Sequence, residues 1–312
     1  MTAFDLGRKV FVAGHRGLVG SAVVRALHAQ GARPPIVKGR NELDLADQAA
    51  VDDFFSNERP DYVFLCAAHV GGIQANASFP AEFIRNNLAI QTNVIHSAWK
   101  HGVSKLLFLG SSCIYPKFAA QPIREDALLT GALEATNEAY AIAKIAGLAM
   151  CQAYRRQYGF DAIVPMPTNL YGPGDNYDAD GSHVVAGLIR RFVSAVQTGD
   201  REVVVWGTGT PLREFLYVDD LADALIHLMH HYESDEPINV GTGQELSIDE
   251  LARRIAAACG FTGTVTFDAS RPDGTPRKRL DTSKLDAMGW RARTDLDTGL
   301  RRTVAAYRQL LE

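Results

Sequence analysis

Two short stretches carry side chains that could transfer protons. The stretch "GSSCIYPK" (110–117) sets two serines and Cys113 directly after an apolar run, "KLLFL". Tyr140 and Lys144 stand four positions apart in "YAIAK", so a helix would project both from one face. An ammonium near a phenol favours the phenolate and lowers its pKa from about 10. We therefore expect Tyr140 to donate a proton to a carbonyl oxygen that receives a hydride.

Cys113 by itself fits three roles: a small buried hydrophobe, a redox centre or an acid/base group. The cysteines Cys66, Cys113, Cys151 and Cys259 are widely spaced and include no C-x-x-C pair. The nine histidines include no H-E-x-x-H motif. This spacing predicts no metal site, and it suits the reduced thiols of a cytoplasmic protein.

A glycine-rich turn predicts a nucleotide site. Gly14, Gly17 and Gly20 lie between a strand and a helix in "VFVAGHRGLVGSAVVRAL". Such glycines permit a tight turn, and the helix N-terminus binds a pyrophosphate. An NAD enzyme typically has a carboxylate at the end of the second strand. Here that strand ends with Arg40, and Arg16 lies within the glycine turn. Because guanidinium groups bind a 2′-phosphate well, we predict NADP.

The elements that must position these residues follow an alternating pattern. Five apolar runs predict strands: "KVFVA" (9–13), "PPIVK" (34–38), "YVFLC" (62–66), "KLLFLG" (105–110) and "AIVPM" (162–166). Amphipathic segments that mostly end at glycine separate these runs, as helices do. Continuous apolar strands are typical of parallel sheets buried on both faces. We therefore expect an α/β fold with a Rossmann-like, doubly wound parallel sheet.

The second half of the chain is richer in polar loops, such as "YGPGDNYDADGSH" (171–183). A further apolar run, "EPINVG" (236–241), predicts a strand that returns to the first sheet. We expect a cofactor-binding domain of residues 1–170 plus about 214–242. A smaller α/β substrate-binding lobe would comprise about 171–213 plus 243–312. Substrates commonly bind in the cleft between two such lobes.

Composition narrows the possible partners. The 312-residue chain is 46% hydrophobic and 22% charged, with a formal net charge of −4. This balance predicts a globular protein without a nucleic-acid or membrane partner. No apolar stretch approaches the roughly 18 residues of a spanning helix. We therefore expect a cytoplasmic protein.

The glycine turn, the serines and the Tyr–Lys pair together resemble the extended short-chain dehydrogenase/reductases. Longer stretches resemble, in order, the GDP-L-fucose synthase family: "GHRGLVGSA", "AAHVGGIQAN", "FLGSSCIYPK", "TNEAYAIAKIAG", "PTNLYGPGDNY", "VVVWGTGTPLREFLYVDDLA", "INVGTG" and "DASRPDGTPRK". This resemblance implies 3,5-epimerisation and 4-keto reduction of GDP-4-keto-6-deoxy-D-mannose to GDP-L-fucose with NADPH. It also implies a homodimer. His69 stands where the family pattern leads us to expect lysine, and "YDADGSH" differs in its polar composition.

The resemblance also assigns roles to residues. Cys113 and His183 would exchange protons at C3 and C5, with the base at each carbon and the order of inversions left open. Tyr140 would protonate O4, Ser111 would steady the oxyanion, and Lys144 would hold Tyr140 and the nicotinamide ribose. The implied substrate contacts are Arg191, Trp206, Arg213 and Asp273. The expected cofactor-binding residues are Gly14, His15, Arg16, Gly17, Leu18, Val19, Gly20, Arg40, Leu109, Gly110, Ser111, Ser112, Lys144, Pro167, Thr168, Asn169, Leu170 and His183.

Two other functions remain open. An NAD-dependent nucleotide-sugar 4-epimerase or 4,6-dehydratase would prefer an acid where Arg40 lies, and would not require Cys113 with His183. A non-catalytic NADP-sensing interaction protein would have no need to keep these two residues together with Ser111, Tyr140 and Lys144.

Overall fold

The computed structural model describes residues 4–179, 181–271 and 273–312. The strands are β1 (Val10–Ala13), β2 (Tyr62–Leu65), β3 (Lys105–Phe108), β4 (Ala162–Ile163), β5 (Pro165–Pro167), β6 (Asn169–Tyr171), β7 (Glu202–Trp206), β8 (Leu212–Arg213), β9 (Phe215–Tyr217), β10 (Ile238–Val240), β11 (Leu246–Ser247), β12 (Thr264–Asp268) and β13 (Arg277–Lys278). The helices are α1 (Leu18–Ala29), α2 (Gln48–Glu58), α3 (Ile73–Ser78), α4 (Pro80–Lys100), α5 (Glu138–Tyr158), α6 (Val184–Thr198), α7 (Val218–His231), α8 (Ile248–Cys259), α9 (Ser283–Ala287) and α10 (Leu296–Gln309).

The main sheet is parallel, in the order β1-β2-β3-β4, and its strands are buried. Strand β5 follows β4 after one residue and pairs in parallel with β10. The run at 236–241 therefore forms a strand, as predicted, but it pairs with β5 in a separate two-stranded sheet that follows β4 and not with the main sheet itself. The predicted α/β fold with a doubly wound parallel sheet is confirmed.

One predicted strand, 34–38, is wrong. Ile36 alone in this stretch forms a bridge, with Phe11 of β1, so the chain passes alongside the sheet without a continuous ladder. Pro34 and Pro35 explain the difference, because neither has a backbone N–H to donate to a neighbouring strand. Similarly, the run at 162–166 is divided at Val164 into β4 and β5.

Helices cover both faces of the main sheet. Alternate residues of β1 point to opposite faces. Val10 and Val12 lie in a core with helices α1 and α7, whereas Phe11 lies in a second core with α2, α4 and α5. Gly147 brings α5 close to the sheet, since a Cβ at this position would overlap the Phe108 ring of β3. This approach places the first turns of α5 at the carboxyl end of β3.

A third core lies under the later elements. It combines strand β7 with helices α6, α8 and α10. Strand β7 pairs in parallel with β12, and β8 pairs with both β11 and β13. Strands β7, β8 and β13 carry residues that line a cleft together with residues from the carboxyl ends of the main sheet. In the described part of the chain, no helix is long and apolar enough to cross a membrane.

Candidate active site

A cleft of about 1220 Å³ opens where β1, β2 and β3 end. A single small-molecule site usually has a volume of roughly 300–1,000 Å³, so this cleft has room for two adjoining ligands. Of the residues expected from the sequence, those that line it are Gly14, Gly17, Leu18, Val19, Gly20, Arg40, Leu109, Gly110, Ser111, Ser112, Cys113, Tyr140, Lys144, Pro167, Thr168, Asn169, Leu170, His183, Arg191, Trp206, Arg213 and Asp273. His15 and Arg16 lie outside this lining.

One end of the cleft is suited to a dinucleotide. Helix α1 begins at Leu18, and its N-cap, Gly17, offers no side chain to bind the first backbone N–H groups. These groups can therefore bind a phosphate. Gly20 allows the helix to approach the turn, because a Cβ there would overlap the Gly14 carbonyl. The backbone thus forms a cradle of the kind that a pyrophosphate needs.

Positive charge gathers beside this cradle. Lys38 and Arg40 line the cleft, and the Arg16 guanidinium lies against Gly39 between them. The Glu42 carboxylate accepts a 2.7 Å hydrogen bond from the Gly39 N–H. The sequence interpretation missed Lys38, although it stands beside Arg40 in the same run, "IVKGR". A cluster of cations at this position fits the additional phosphate of NADP.

Ser111 links the main sheet to the reacting groups. Its hydroxyl accepts a 3.2 Å hydrogen bond from the Cys113 N–H and caps a short 3-10 helix, Ser112–Ile114. The same side chain interacts with the Tyr140 phenol and lowers its pKa. One serine thus lies next to both the Cys113 backbone and the phenol.

Lys144 is almost fully buried and donates a 2.8 Å hydrogen bond to the Leu109 carbonyl. Burial lowers the pKa of Lys144 to about 8. The expectation that this ammonium lowers the pKa of Tyr140 is wrong for this structure. Burial raises the pKa of the phenol, a Cys113 thiolate raises it further, and the Ser111 hydrogen bond offsets only part of this rise. The physical reason is that the phenol is withdrawn from water while the ammonium is directed at a carbonyl.

Cys113 faces a lysine. The Lys278 Nζ lies 3.5 Å from the Cys113 Sγ. Removal from water alone would raise the pKa of the thiol, but the charge of Lys278 and the Ser111 hydrogen bond outweigh that effect. The pKa of Cys113 therefore lies below its usual value. Such a thiol is readily converted to a thiolate.

His183 has the opposite kind of partner. Its Nδ1 lies 3.5 Å from Oδ1 of Asp175, whose side chain is 3% exposed. The hydrogen bond with this carboxylate is the main cause that raises the pKa of His183, against the opposing effect of burial. The imidazolium is therefore favoured. The sequence interpretation missed both residues. Asp175 lies in a polar loop and Lys278 in the two-residue strand β13, and neither stretch has a periodic signal.

The opposite wall carries the residues expected to bind substrate. Trp206 ends β7 with 55% of its surface exposed, and the Arg271 guanidinium lies 4.9 Å from its ring centroid. Asp273 accepts hydrogen bonds from the Thr208 N–H and hydroxyl, at 2.7 and 2.9 Å. Arg213 contacts the Asp273 carbonyl at 3.5 Å.

Arg191 completes this wall by donating to the Val204 carbonyl. The wall therefore offers an aromatic face and guanidinium groups to a ligand. Among the described residues, no group of three or more histidine, cysteine or acidic side chains could hold a metal ion.

Comparisons with known proteins agree with this geometry. The sequence profile of the NAD dependent epimerase/dehydratase family matches residues 10–241. The chain is 60% identical to GDP-L-fucose synthase 1 of Arabidopsis thaliana, over 97% of this chain and 94% of the relative. It is 53% identical to the GDP-L-fucose synthase of Escherichia coli K12, over 98% and 97%.

A crystal structure of a GDP-L-fucose synthetase from Naegleria fowleri bound to NADP has a TM-score of 0.91 at 30% identity, covering 99% of this chain and 97% of that one. The cofactor pocket and the paired Cys113 and His183 thus lie in a chain that belongs to the NAD dependent epimerase/dehydratase family, among the GDP-L-fucose synthases.

Proposed function

We propose that this chain converts GDP-4-keto-6-deoxy-D-mannose to GDP-L-fucose, as an NADP-dependent oxidoreductase with epimerase activity. The observation that carries this proposal is that one cleft holds two separate acid/base systems. Ser111, Tyr140 and Lys144 suit the reduction of a carbonyl. Cys113 and His183 suit proton exchange at carbon. The relatives named GDP-L-fucose synthase support the same substrate.

The electrostatics of the cleft suggest how the two inversions proceed. The C4 carbonyl acidifies the hydrogens on C3 and C5, so a base can remove each as a proton. We assign this step to the Cys113 thiolate, because Lys278 favours its charged form. The His183 imidazolium, which Asp175 favours, then delivers a proton to the opposite face of the carbon. Since the His183 side chain is 44% exposed, solvent can restore both groups before the second inversion.

Reduction uses the other group of residues. NADPH, when bound, supplies the hydride to C4. The Tyr140 hydroxyl is the proton donor to O4, and its raised pKa keeps the proton in place until the oxyanion develops. Ser111 donates a hydrogen bond to the same oxygen. Lys144 would hold the nicotinamide ribose.

We propose that the dinucleotide lies along the backbone cradle of α1. Its pyrophosphate would face the N-terminus of this helix, and its 2′-phosphate would face Lys38 and Arg40. This arrangement counts against an NAD-dependent 4-epimerase or 4,6-dehydratase, for which an acid would suit position 40 better. A non-catalytic NADP-sensing protein would gain nothing from Lys278 beside Cys113 or Asp175 beside His183.

The test is NMR analysis of the product formed from GDP-4-keto-6-deoxy-D-mannose and NADPH in heavy water. We expect deuterium at C3 and C5, and protium from NADPH at C4. In the Cys113→Ser variant, exchange at both carbons should be suppressed more strongly than reduction. Reduction of the substrate without exchange would make this chain a 4-reductase only, and absence of any reaction would refute the proposal.

We further propose the two-lobe division, with residues 1–170 plus about 214–242 binding the cofactor and about 171–213 plus 243–312 binding the sugar nucleotide. The separate third core around β7, α6 and α8 supports this division. In limited proteolysis, NADPH should protect the cofactor-binding lobe from cleavage. GDP should protect the lobe that binds the sugar nucleotide. Four free cysteines support a reducing, cytoplasmic location.

A homodimer is proposed through α4 and α5. Their surface carries Ile142 and Tyr158, which are 42% and 47% exposed, and Trp99 stacks on Tyr158 at 4.2 Å. Exposed apolar side chains on α5, beside the partly buried Trp99 of α4, suit pairing with a second copy. Light scattering after size exclusion should give twice the mass of the 34.0 kDa chain.

A further inference from the structure

Lys278 reaches the active site through the pairing of two short strands. In the parallel pair β13 and β8, Lys278 lies opposite Arg213, and both residues line the cleft. Neighbouring residues of a strand point to opposite faces. Arg277 accordingly points away and binds Glu245. Lys278 instead places its Nζ 3.5 Å from the Cys113 Sγ.

The backbone around Lys278 is held in place on both sides. The Leu212 N–H donates to the Pro276 carbonyl at 3.0 Å. After Lys278, the Arg279 N–H donates to the Gln121 side chain at 2.9 Å, and the Leu280 N–H donates to Glu214 at 2.8 Å. A strand fixed in this way carries its ammonium to a defined position, so the contact with the sulfur is a feature of the fold.

Several charged or titratable groups face the Cys113 sulfur. His183, Tyr140 and Arg213 interact with it electrostatically. Ser111, which accepts a hydrogen bond from the Cys113 N–H, also lowers the pKa of the thiol. Lys278 differs from them because it combines a full positive charge with direct contact. Asp175 offsets the charge of a protonated His183, and Asp273 lies beside Arg213. Lys278 is therefore the cation best placed to stabilise a thiolate.

We propose that Lys278 is a positioning residue that holds Cys113 as a thiolate in the free enzyme, through a direct ion pair with the sulfur. As the pair forms, the thiol proton passes to solvent. During turnover the thiolate accepts a proton from the sugar carbon and becomes a thiol. The catalytic part of this inference rests on the proposed function, but the ion pair itself does not.

The experiment measures alkylation of Cys113 by iodoacetamide between pH 5 and 10, quantified on the Cys113 peptide by mass spectrometry. Only the thiolate reacts, so the rate reports its population. Lys278→Met should slow the reaction at pH 7 by at least about tenfold, because a contacting opposite charge changes ionisation by this much or more. Lys278→Arg should retain most of the rate. Lys284→Met removes a lysine that pairs with Glu236 outside the cleft, and should leave the rate unchanged.

Measurements of turnover in the same variants distinguish the proposed role of Lys278 from other roles. We expect Lys278→Met to slow C3 and C5 exchange and to move its pH profile to higher pH, with Lys278→Arg restoring both. An unchanged alkylation profile with a raised KM would overturn the inference and make Lys278 a substrate-binding residue. A slower reaction with the same pH midpoint would indicate a structural role only. If the wild-type protein alkylates as expected but exchanges no sugar proton, the proposed function fails while the ion pair stands.

Discussion

Removal of the Asp175 carboxylate should weaken His183 as a proton donor. Asp175 is almost fully buried in the loop before α6, and its Oδ1 lies 3.5 Å from His183 Nδ1. Replacement by asparagine removes the charge and keeps the shape of the side chain. The pKa of His183, which the Asp175 hydrogen bond raises, should fall in Asp175→Asn. As the pH rises, the variant would then lose the imidazolium at a lower pH than the wild type. Its inversion rate would fall at that lower pH as well.

The magnitude follows from the distance between the two groups. Unit charges 3.5 Å apart interact by about 5 kcal/mol at an effective dielectric constant of 20. Because 44% of the His183 side chain is exposed, solvent screening reduces this to about 1 kcal/mol. A free-energy difference of about 1 kcal/mol corresponds to a change of about fivefold in rate. We therefore expect product formation at pH 7.5 to fall by about fivefold, and to recover as the pH is lowered.

The assay is NADPH oxidation with GDP-4-keto-6-deoxy-D-mannose from pH 5.5 to 9, with fucose product measured by NMR. Asp175→Glu, which keeps the charge, should retain more activity than Asp175→Asn at pH 7.5. In a His183→Gln background, Asp175→Asn should have little further effect, because the two residues act as one unit. Equal losses in both backgrounds would refute the reasoning, as would a pH profile that does not move.

Two further predictions concern the cofactor end and the fold. Arg40→Ser should raise the KM for NADPH by about 10- to 100-fold, because a charged hydrogen bond is lost, and should change the KM for NADH little. Steady-state kinetics with both cofactors is the measurement. An equal increase in KM for NADPH and NADH would contradict a contact with the 2′-phosphate. Glu214 is fully buried and accepts hydrogen bonds from the N–H groups of Thr242, Gly243 and Leu280. Glu214→Ala should therefore reduce the free energy of unfolding by about 3–5 kcal/mol, measured by urea titration with Glu214→Gln as the milder control.

The parts of the fold that the sequence predicts well are those with a local pattern. Buried parallel strands have continuous apolar runs, so β1, β2 and β3 could be located from their own residues. The run at 34–38 has the same composition in its second half, but its two prolines prevent a ladder. An apolar run therefore does not form a strand where prolines remove the N–H groups that a ladder needs.

The electrostatic state of the site could not be predicted in the same way. The spacing of Tyr140 and Lys144 places both on one face of α5, as expected, but spacing carries no information on burial. In the structure, burial raises the pKa of the phenol, and the ammonium is directed at the Leu109 carbonyl. The direction of a pKa change depends on neighbours from other elements, which only the tertiary structure reveals.

The residues that we propose to tune proton exchange come from a different part of the chain than those proposed to serve reduction. Ser111 follows strand β3, and Tyr140 and Lys144 lie on α5, so the main sheet positions all three. Lys278 and Asp175 lie in later segments, and Lys278 stands 165 positions from Cys113. A change confined to these segments could therefore alter inversion at C3 and C5 and leave the carbonyl-reducing group intact. Measurement of exchange and hydride transfer in the same variants, Asp175→Asn and Lys278→Met, tests whether the two chemistries separate along this division.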